Sequence, residues 1–485
     1  MSAVELHALA PAASGHHRLW VGVFDGARPE RLEWTVNGNP VRDGDIREVR
    51  ALTPVPLPEV VTQTGVFEVP VSEARLDRPP PDTVVVTAVW ADGRRESSSL
   101  TNRPLPGRLP SGLGETFNVL AVSCFYEPGD SGGRAGQLVE YLSQNDATRP
   151  DLVIGMGDQV YLDNPFLKSQ ALYSQAALAK AFEVKYRKNW QGSSYAKILR
   201  AAPVASIPDD HEYWNNYPQS QIFWPATMFG GSRDHWELAA RELFDAFQLA
   251  ETGRYSYRID VAPVSFFLLD NRSFRTVSRW RNPGSSARAD DLELFDSWVD
   301  EVIQSSELLP VLVTGPSLFQ PAKGGFAKYR DQNLANLTDY PHIMRGLLKL
   351  SSHGRPPLAL TGDVHYGRVV SATHRTGNRD RPWSNLYEVI SSPSSMVGLR
   401  PRPDGKRPEA EKPDRHFHVE GTTAMLDCTM QWPAKDADKM GDHVTLLQFS
   451  RSQTGVDVDT QYWMINEPGK SMNPIRAPRL SLRRL

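Results

Sequence analysis

From Thr116 onward, apolar runs of strand length alternate with amphipathic segments of helical spacing. That alternation restricts the chain to a layered α/β domain with its chemistry at the strand ends. "FNVLAVSC", "DLVIGMGD", "APVASIPDDH", "VSFFLLDNR", "LPVLVTG" and "PPLALTGDVH" are rich in β-branched and apolar residues and break off in polar or glycine-bearing tips. Between them "RAGQLVEYLSQ", "WELAARELFDAFQ" and "DLELFDSWVDEVI" have helical spacing, and the region after "DLVIGMGD" is mainly helical to about Arg200. In the last of those helices Leu292, Phe295, Trp298, Val299 and Val302 fall on one apolar stripe, which predicts core packing. The runs "HVTLLQFS" and "GVDVDTQYWMI" have no helix between them and predict an antiparallel pair.

The first hundred residues have a different grain. "LWVGVF", "RLEWTVNG", "GVFEVPV" and "TVVVTAVWA" are short β-rich runs separated by Gly, Pro, Asp and Asn, which predicts a small antiparallel β-sandwich of the immunoglobulin or fibronectin kind. "NRPLPGRLPSGLG" (102–114) has linker composition. The expected division is an all-β sandwich with its linker over 1–110 and an α/β domain over 115–485, since 485 residues exceed what one core holds. A net charge of −3 gives no general pull toward nucleic acid or an anionic membrane, and no apolar stretch is long enough to span a bilayer. The start, "MSAVELHALAPAASGHHRLW", has no basic segment followed by an apolar one. The chain therefore reads as cytoplasmic, or as exported if a leader has been removed. Cys124 and Cys428 are the only cysteines, too few for a disulfide scaffold, and a bridge between them is not expected in a cytoplasmic chain.

Four of the tips carry unusual chemistry. The first run ends at Cys124. The second ends at Asp158, with Tyr161 three residues on. The third presents Asp209, Asp210 and His211, and the last presents Asp363 and His365. Singly, each is an ordinary turn or a small buried thiol. Gathered at one sheet edge, carboxylates, a thiol and a phenol would repel one another or stay unsatisfied without cations. The donors sort into two sites. Cys124, Tyr161 and His365 supply sulfur, phenolate and nitrogen for a transition metal. The thiol and phenol must lose protons to bind, which suits a strongly Lewis-acidic ion such as ferric iron. Asp210 and Asp363 offer hard oxygens for calcium, magnesium or manganese, and Asp158 is placed to bridge. Two ions about 3.5–4 Å apart can clamp a phosphoryl group and activate an in-line hydroxide.

"SC", "GDQVYLD", "DDHEYWNN", "LLDNRSFR" and "LTGDVHYG", in that order, resemble the PhoD-type alkaline phosphatase/phosphodiesterase branch of the calcineurin-like metallophosphoesterases. The resemblance covers residues 115 to 395. It implies a four-layer fold of two mixed sheets flanked by helices, with the N-terminal β-sandwich as the family's usual extra domain. Carried over, Cys124, Asp158, Tyr161 and His365 would hold Fe3+. Asp158, Asp210 and Asp363 would hold a second ion, Ca2+ first, with Mn2+, Mg2+ or Zn2+ as substitutes. His211 would protonate the leaving oxygen. Asp210 stands where the wider superfamily has the Asn of its Gly-Asn-His-Glu motif. Secreted members carry an export signal, whereas none is read here, which favours an internal phosphate ester as substrate.

Arg272 has the planar fork to grip a phosphate oxygen, with a structural ion pair as its alternative. Asn216 is a candidate contact to metal or substrate, with a turn role as alternative. His416 and His418, in "HFHVE", mimic metal spacing but read as surface histidines, and the basic tail "RAPRLSLRRL" as a solvated tail. With Arg272 the only cation named near the metals, phosphodiesters are expected to be hydrolysed at least as well as phosphomonoesters. The competing reading is a metal-holding, catalytically weak partner-binding module on the same fold.

Overall fold

The computed structural model describes residues 3–73, 80–112, 114–130, 132–164, 174–221, 224–279, 282–324, 333–375, 383–395, 411–432, 441–465 and 473–484. The N-terminal strands are β1 (Val4–Leu9), β2 (His16–Val23), β3 (Arg31–Val36), β4 (Asn39–Pro40), β5 (Arg47–Pro54), β6 (Gln63–Pro70), β7 (Asp82–Val89) and β8 (Arg95–Asn102). They form two facing sheets, in the orders β1-β2-β6-β5 and β4-β3-β7-β8. Alternate side chains meet in a shared core, with Val4, Leu6, Leu19 and Val21 against Trp34, Val84, Val86 and Leu100.

The following strands are β9 (Phe117–Val122), β10 (Leu152–Met156), β11 (Val204–Ile207), β12 (Tyr257–Val261), β13 (Val264–Leu268), β14 (Leu309–Val313), β15 (Leu358–Thr361), β16 (Arg368–His374) and β17 (Leu386–Ile390). The chain closes with β18 (His416–His418), β19 (Met425–Trp432), β20 (His443–Ser452), β21 (Gly455–Met464), β22 (Ile475–Arg476) and β23 (Leu480–Arg483). The helices are α1 (Arg134–Ser143), α2 (Gln175–Trp190), α3 (Tyr195–Leu199), α4 (Gly230–Gln248), α5 (Ala289–Gln304) and α6 (Tyr340–Ser352).

Two mixed sheets stack face to face. One runs β22-β21-β20-β9-β10-β11 and the other β12-β13-β14-β15-β17-β16-β19-β18. β9, β10 and β11 are parallel, as are β13, β14, β15 and β17, while β20 and β21 pair antiparallel over ten residues each. The period of two decides the layers. Phe117, Val119, Ala121, Ile154 and Met156 face Phe266, Val311 and Leu358 between the sheets. Leu120, Val122 and Val153 face α1 to α4 on the outside. Phe295, Trp298, Val299 and Val302 of α5 pack with α6 on the far face, as their spacing predicts. The result is a four-layer α/β/β/α sandwich with an N-terminal β-sandwich.

The two parts are joined more closely than a linker implies. β1 pairs in parallel with β11, so the first sheet continues through β1, β2, β6 and β5 into the N-terminal strands, eleven strands in all. Trp20 is fully buried against Phe247, and its indole nitrogen donates to the Ala246 carbonyl at 2.8 Å. Arg50 donates to the Asp245 and Ala246 carbonyls, both at 2.7 Å, near the C-terminal end of α4, where carbonyls lack helical partners. Cys124 and Cys428 are both buried and free. His416 and His418 are exposed on β18, and His416 Nδ1 lies 2.7 Å from Asp427 Oδ1.

Candidate metal centre

The C-terminal ends of β9, β10 and β11 meet those of β13, β15 and β17 at one edge of the stacked sheets. Close approach there demands small residues. Gly157 has φ +88°, and a Cβ on it would lie 2.2 Å from that of Asp209. A Cβ on Gly362 would meet Ser123 Oγ at 2.7 Å. Beyond these glycines the backbone is bent where it is costly to bend. Among the described residues seven non-glycine positions have left-handed backbone, and five of them are Cys124, Asp158, Asn216, Asp363 and His365. Each such residue costs about 1–3 kcal/mol, and such conformations persist where the surroundings hold them for a purpose.

The donor atoms converge. Atoms of Cys124, Asp158 and His365 lie within 4.8 Å of one another, as do those of Asp158, Asp210 and His211, and those of Asp209, Asp210 and Asp363. Asp158 belongs to two groups and Asp210 to two. Cys124 Sγ is 3.4 Å from Asp158 Oδ2, and the His211 amide donates to Asp158 Oδ1 at 3.1 Å. The Tyr161 ring stacks on His211 with centroids 4.0 Å apart. The Asn216 backbone amide donates to Asp210 Oδ2.

The electrostatics follow from burial. Burial, with the charges of Asp158 and Asp363, pushes the Cys124 thiol well up; burial likewise pushes the Tyr161 phenol and the Asp158 carboxyl well up. Asp210 departs from this: burial opposes ionisation, but His211 and Arg272 hold it low. Burial also works against a charged His211, yet Asp163, Asp210 and Asp158 outweigh it and raise the imidazole well above its ordinary range. Tyr161 Oη is buried with no hydrogen-bond partner. A phenol, a thiol and carboxylates packed together in this way fit metal cations, which would satisfy the orphaned oxygen and draw off the protons.

Of the two candidate substrate contacts, Arg272 is buried, donating through Nε to Asp209 and through Nη1 to the Tyr217 carbonyl at 2.9 Å. Asn216 Nδ2 donates to Asn215 Oδ1. Phe125, Tyr213 and Trp214 are core residues.

Several supporting residues take their roles from partners distant in the sequence. The buried Glu212 carboxylate accepts from the amides of Asp158 and Asp209 through Oε2, both at 2.8 Å, and from Gln159 and Val160 through Oε1. It thereby ties two tips together. Asp163 Oδ1 is 2.7 Å from His211 Nδ1, which aims the other ring nitrogen into the site. The Lys185 ammonium, on α2, donates to the carbonyls of Tyr161, Leu162 and Asn164. The turn after β17 crosses between the sheets. Ser392 Oγ donates to Cys124 Sγ at 3.1 Å and accepts from the His365 amide at 3.0 Å, and the Ser394 and Ser395 amides donate to the Ser123 and Cys124 carbonyls. "SSPSS" (391–395) would have been the signal, a polar tip after another apolar run.

Among solved structures, that of PhoD superposes with a TM-score of 0.54 at 14% identity, covering 98% of this chain and 88% of PhoD. Purple acid phosphatase PPD1 from yellow lupin (Lupinus luteus) seeds superposes with a TM-score of 0.54 at 12% identity, covering 99% of this chain and 74% of the phosphatase. The fold is calcineurin-like. No protein-family model matches the sequence, and no curated protein matches it. Among the described residues, no helix is long and apolar enough to cross a membrane.

Proposed function

We propose that the chain hydrolyses phosphate esters, diester or monoester, at a dinuclear metal centre. The observation that carries this reading is the overlap of the donor groups: Asp158 lies in the Cys124/Asp158/His365 group and in the Asp158/Asp210/His211 group, as a bridging carboxylate between two ions requires. Cys124, Asp158, Tyr161 and His365 would hold one ion, for which Fe3+ suits the thiolate and phenolate. Asp158, Asp210 and Asp363 would hold the other, for which Ca2+ suits the carboxylates. When bound, the two ions would supply Lewis acidity and lower the pKa of the attacking water.

The chain's own residues do the rest. His211, held in orientation by Asp163, keeps its proton and delivers it from the ring to the leaving oxygen. Glu212 and Ser392 hold the tips in register, and α2 holds the Tyr161 segment through Lys185. A diester carries one negative charge, which two ions neutralise with little further help, so diesters are hydrolysed at least as well as monoesters.

The test is direct. Purified protein is assayed on a nitrophenyl phosphate diester and monoester, with elemental analysis of the same sample. Metal near two equivalents with turnover of either ester is expected. Because Cys124 and Tyr161 bind as anions, loading releases protons and affinity falls as pH falls. Cys124→Ala should lose the first ion and its visible charge-transfer band. Stoichiometric metal without turnover on any ester would favour the partner-binding module instead.

A further inference from the structure

A cavity of about 310 Å³ lies between the N-terminal strands and the α/β body, at the far end of the sheets from the metal centre. Pro150, on its wall, precedes β10 and Asp158 follows it, so about 17 Å of extended backbone separates the two places. The wall carries four cations and one acid. Arg103 stands just past β8, Arg149 before β10, Lys197 on α3 and Arg200 at its end, with Glu140 on α1. The four cationic side chains are 16–38% exposed, so a solute reaches them.

Much of this charge is left facing the cavity. Lys197 Nζ is 2.6 Å from Glu140 Oε2, an ion pair within the wall itself. The arginines meet acids outside the lining and at longer range: Arg103 is 3.4 Å from Asp151, Arg149 3.5 Å from Asp146 and Arg200 3.6 Å from Glu5. Charge-assisted N–H···O bonds are closer, at about 2.7–2.9 Å. Asp151 is buried and accepts the Asn118 amide at 3.0 Å. Arg149 Nε donates to the Ser143 carbonyl and Arg200 Nη2 to that of Ser99. A guanidinium has five N–H groups, and these contacts occupy only one or two on each arginine.

The lining therefore has three positive charges in excess, in a space at the small end of the range for ligand pockets. Guanidinium forks take phosphoryl oxygens two at a time. A phosphoryl group carries about 1.5–2 negative charges at neutral pH, more than a carboxylate, so two of them match this lining within its volume. We propose that the cavity binds a small oligophosphate, an anion of two or more phosphoryl groups. Arg103 comes from the N-terminal part and Arg149, Lys197 and Arg200 from the α/β body, so the anion ties the two together. The site needs neither metal nor turnover and stands apart from the phosphoesterase reading.

Inorganic pyrophosphate is the probe. Its binding to the metal-loaded full chain is measured by calorimetry for the natural protein, Cys124→Ala, Arg149→Gln and Glu140→Gln, with metal content determined on each. Any pyrophosphate held by the metal centre is a separate event, which Cys124→Ala removes. The cavity event should persist in Cys124→Ala and weaken about tenfold in Arg149→Gln. It should strengthen about fivefold in Glu140→Gln, which removes the acid from the wall. Residues that only support the fold would not shift affinity in opposite directions. Turnover of a nitrophenyl ester should be unchanged in both of these variants. If Arg149→Gln does not fold, the same weakening is read in Lys197→Gln, where the side chain is half-exposed. Absence of any event in Cys124→Ala would overturn the proposal, because all pyrophosphate would then sit at the metal centre. Affinity indifferent to both Arg149→Gln and Glu140→Gln would overturn it equally.

Discussion

His211 illustrates how one side chain acquires a role from its neighbours. Its ring is stacked on Tyr161 and anchored at Nδ1 by Asp163, whose carboxylate favours the protonated imidazole. A general acid matters most when the leaving group is poor, because a good one departs without a proton. His211→Ala is expected to lower kcat on an alkyl phosphate ester by roughly 10²–10⁴-fold and on a nitrophenyl ester by much less, with metal content near normal. Equal losses on both, accompanied by lost metal, would make His211 a ligand. At this scale the sequence marks a residue where it ends an apolar run. Cys124, Asp158, Asp210, His211, Asp363 and His365 stand out because they follow apolar runs of strand length. Glu212 and Asp163 do not stand out in this way. Both lie inside quoted motifs, but their roles come from partners such as the Asp158 amide, 54 residues from Glu212, which pattern alone does not pair.

At the scale of elements, polar knots pin strands that propensity leaves loose. Asp82, at the start of β7, accepts from Asn37 Nδ2 at 2.7 Å and from the Ser72 amide and hydroxyl, and lies 2.8 Å from His17 Nε2 on β2 in the facing sheet. Burial would raise this carboxyl, but the hydrogen bonds from His17, Ser72 and Asn37 outweigh it and hold it far below the usual range. A depressed carboxyl contributes stability that is fully present above the unfolded pKa, about 4. That contribution is lost as pH falls through the folded value. Urea unfolding of the full chain followed against pH should therefore show an acid limb for the N-terminal strands. Asp82→Asn should flatten that limb and cost about 1–3 kcal/mol at neutral pH. An unchanged limb would assign it to other acids. β8 shows why such elements were harder to read than β7: its "RESSSLTN" has a buried face of Ser98, Leu100 and Asn102, with only one large apolar residue to betray the period.

At the scale of the whole molecule, alternation predicts a layered α/β domain and the family resemblance its four layers, but neither reveals the weld between the N-terminal strands and the rest. Composition placed a boundary at the Pro- and Gly-rich stretch 102–114, and the chain does change character there. No local pattern reports that Leu9 is registered against Val204, or that Trp20, Phe24, Val55 and Val66 belong to the same core as α2 and α4. Burying an aromatic or branched side chain is worth about 1.5–3 kcal/mol, so this junction contributes on the order of 10 kcal/mol. Removing residues 1–110 is expected to give a protein that does not fold, seen as lost near-ultraviolet circular dichroism and self-association on size exclusion, even with metal supplied. A soluble, metal-binding fragment of 115–485 would show the sandwich to be dispensable.

The pairing of β1 with β11 also sets an order of events in time. β1, β2 and β6 are complete once Pro70 has left the ribosome, and β1 pairs with β2 over six residues. The opposite edge of β1 belongs to a strand not synthesised until residue 204. Through that interval the nascent chain carries an open strand edge of apolar residues, a template for any other chain that reaches it first. The last tip to join the site is later still, since Ser392 comes from the turn after β17. β1 thus waits on a strand made nearly two hundred residues later, and the strand-end tips of the two sheets meet only when the second sheet docks.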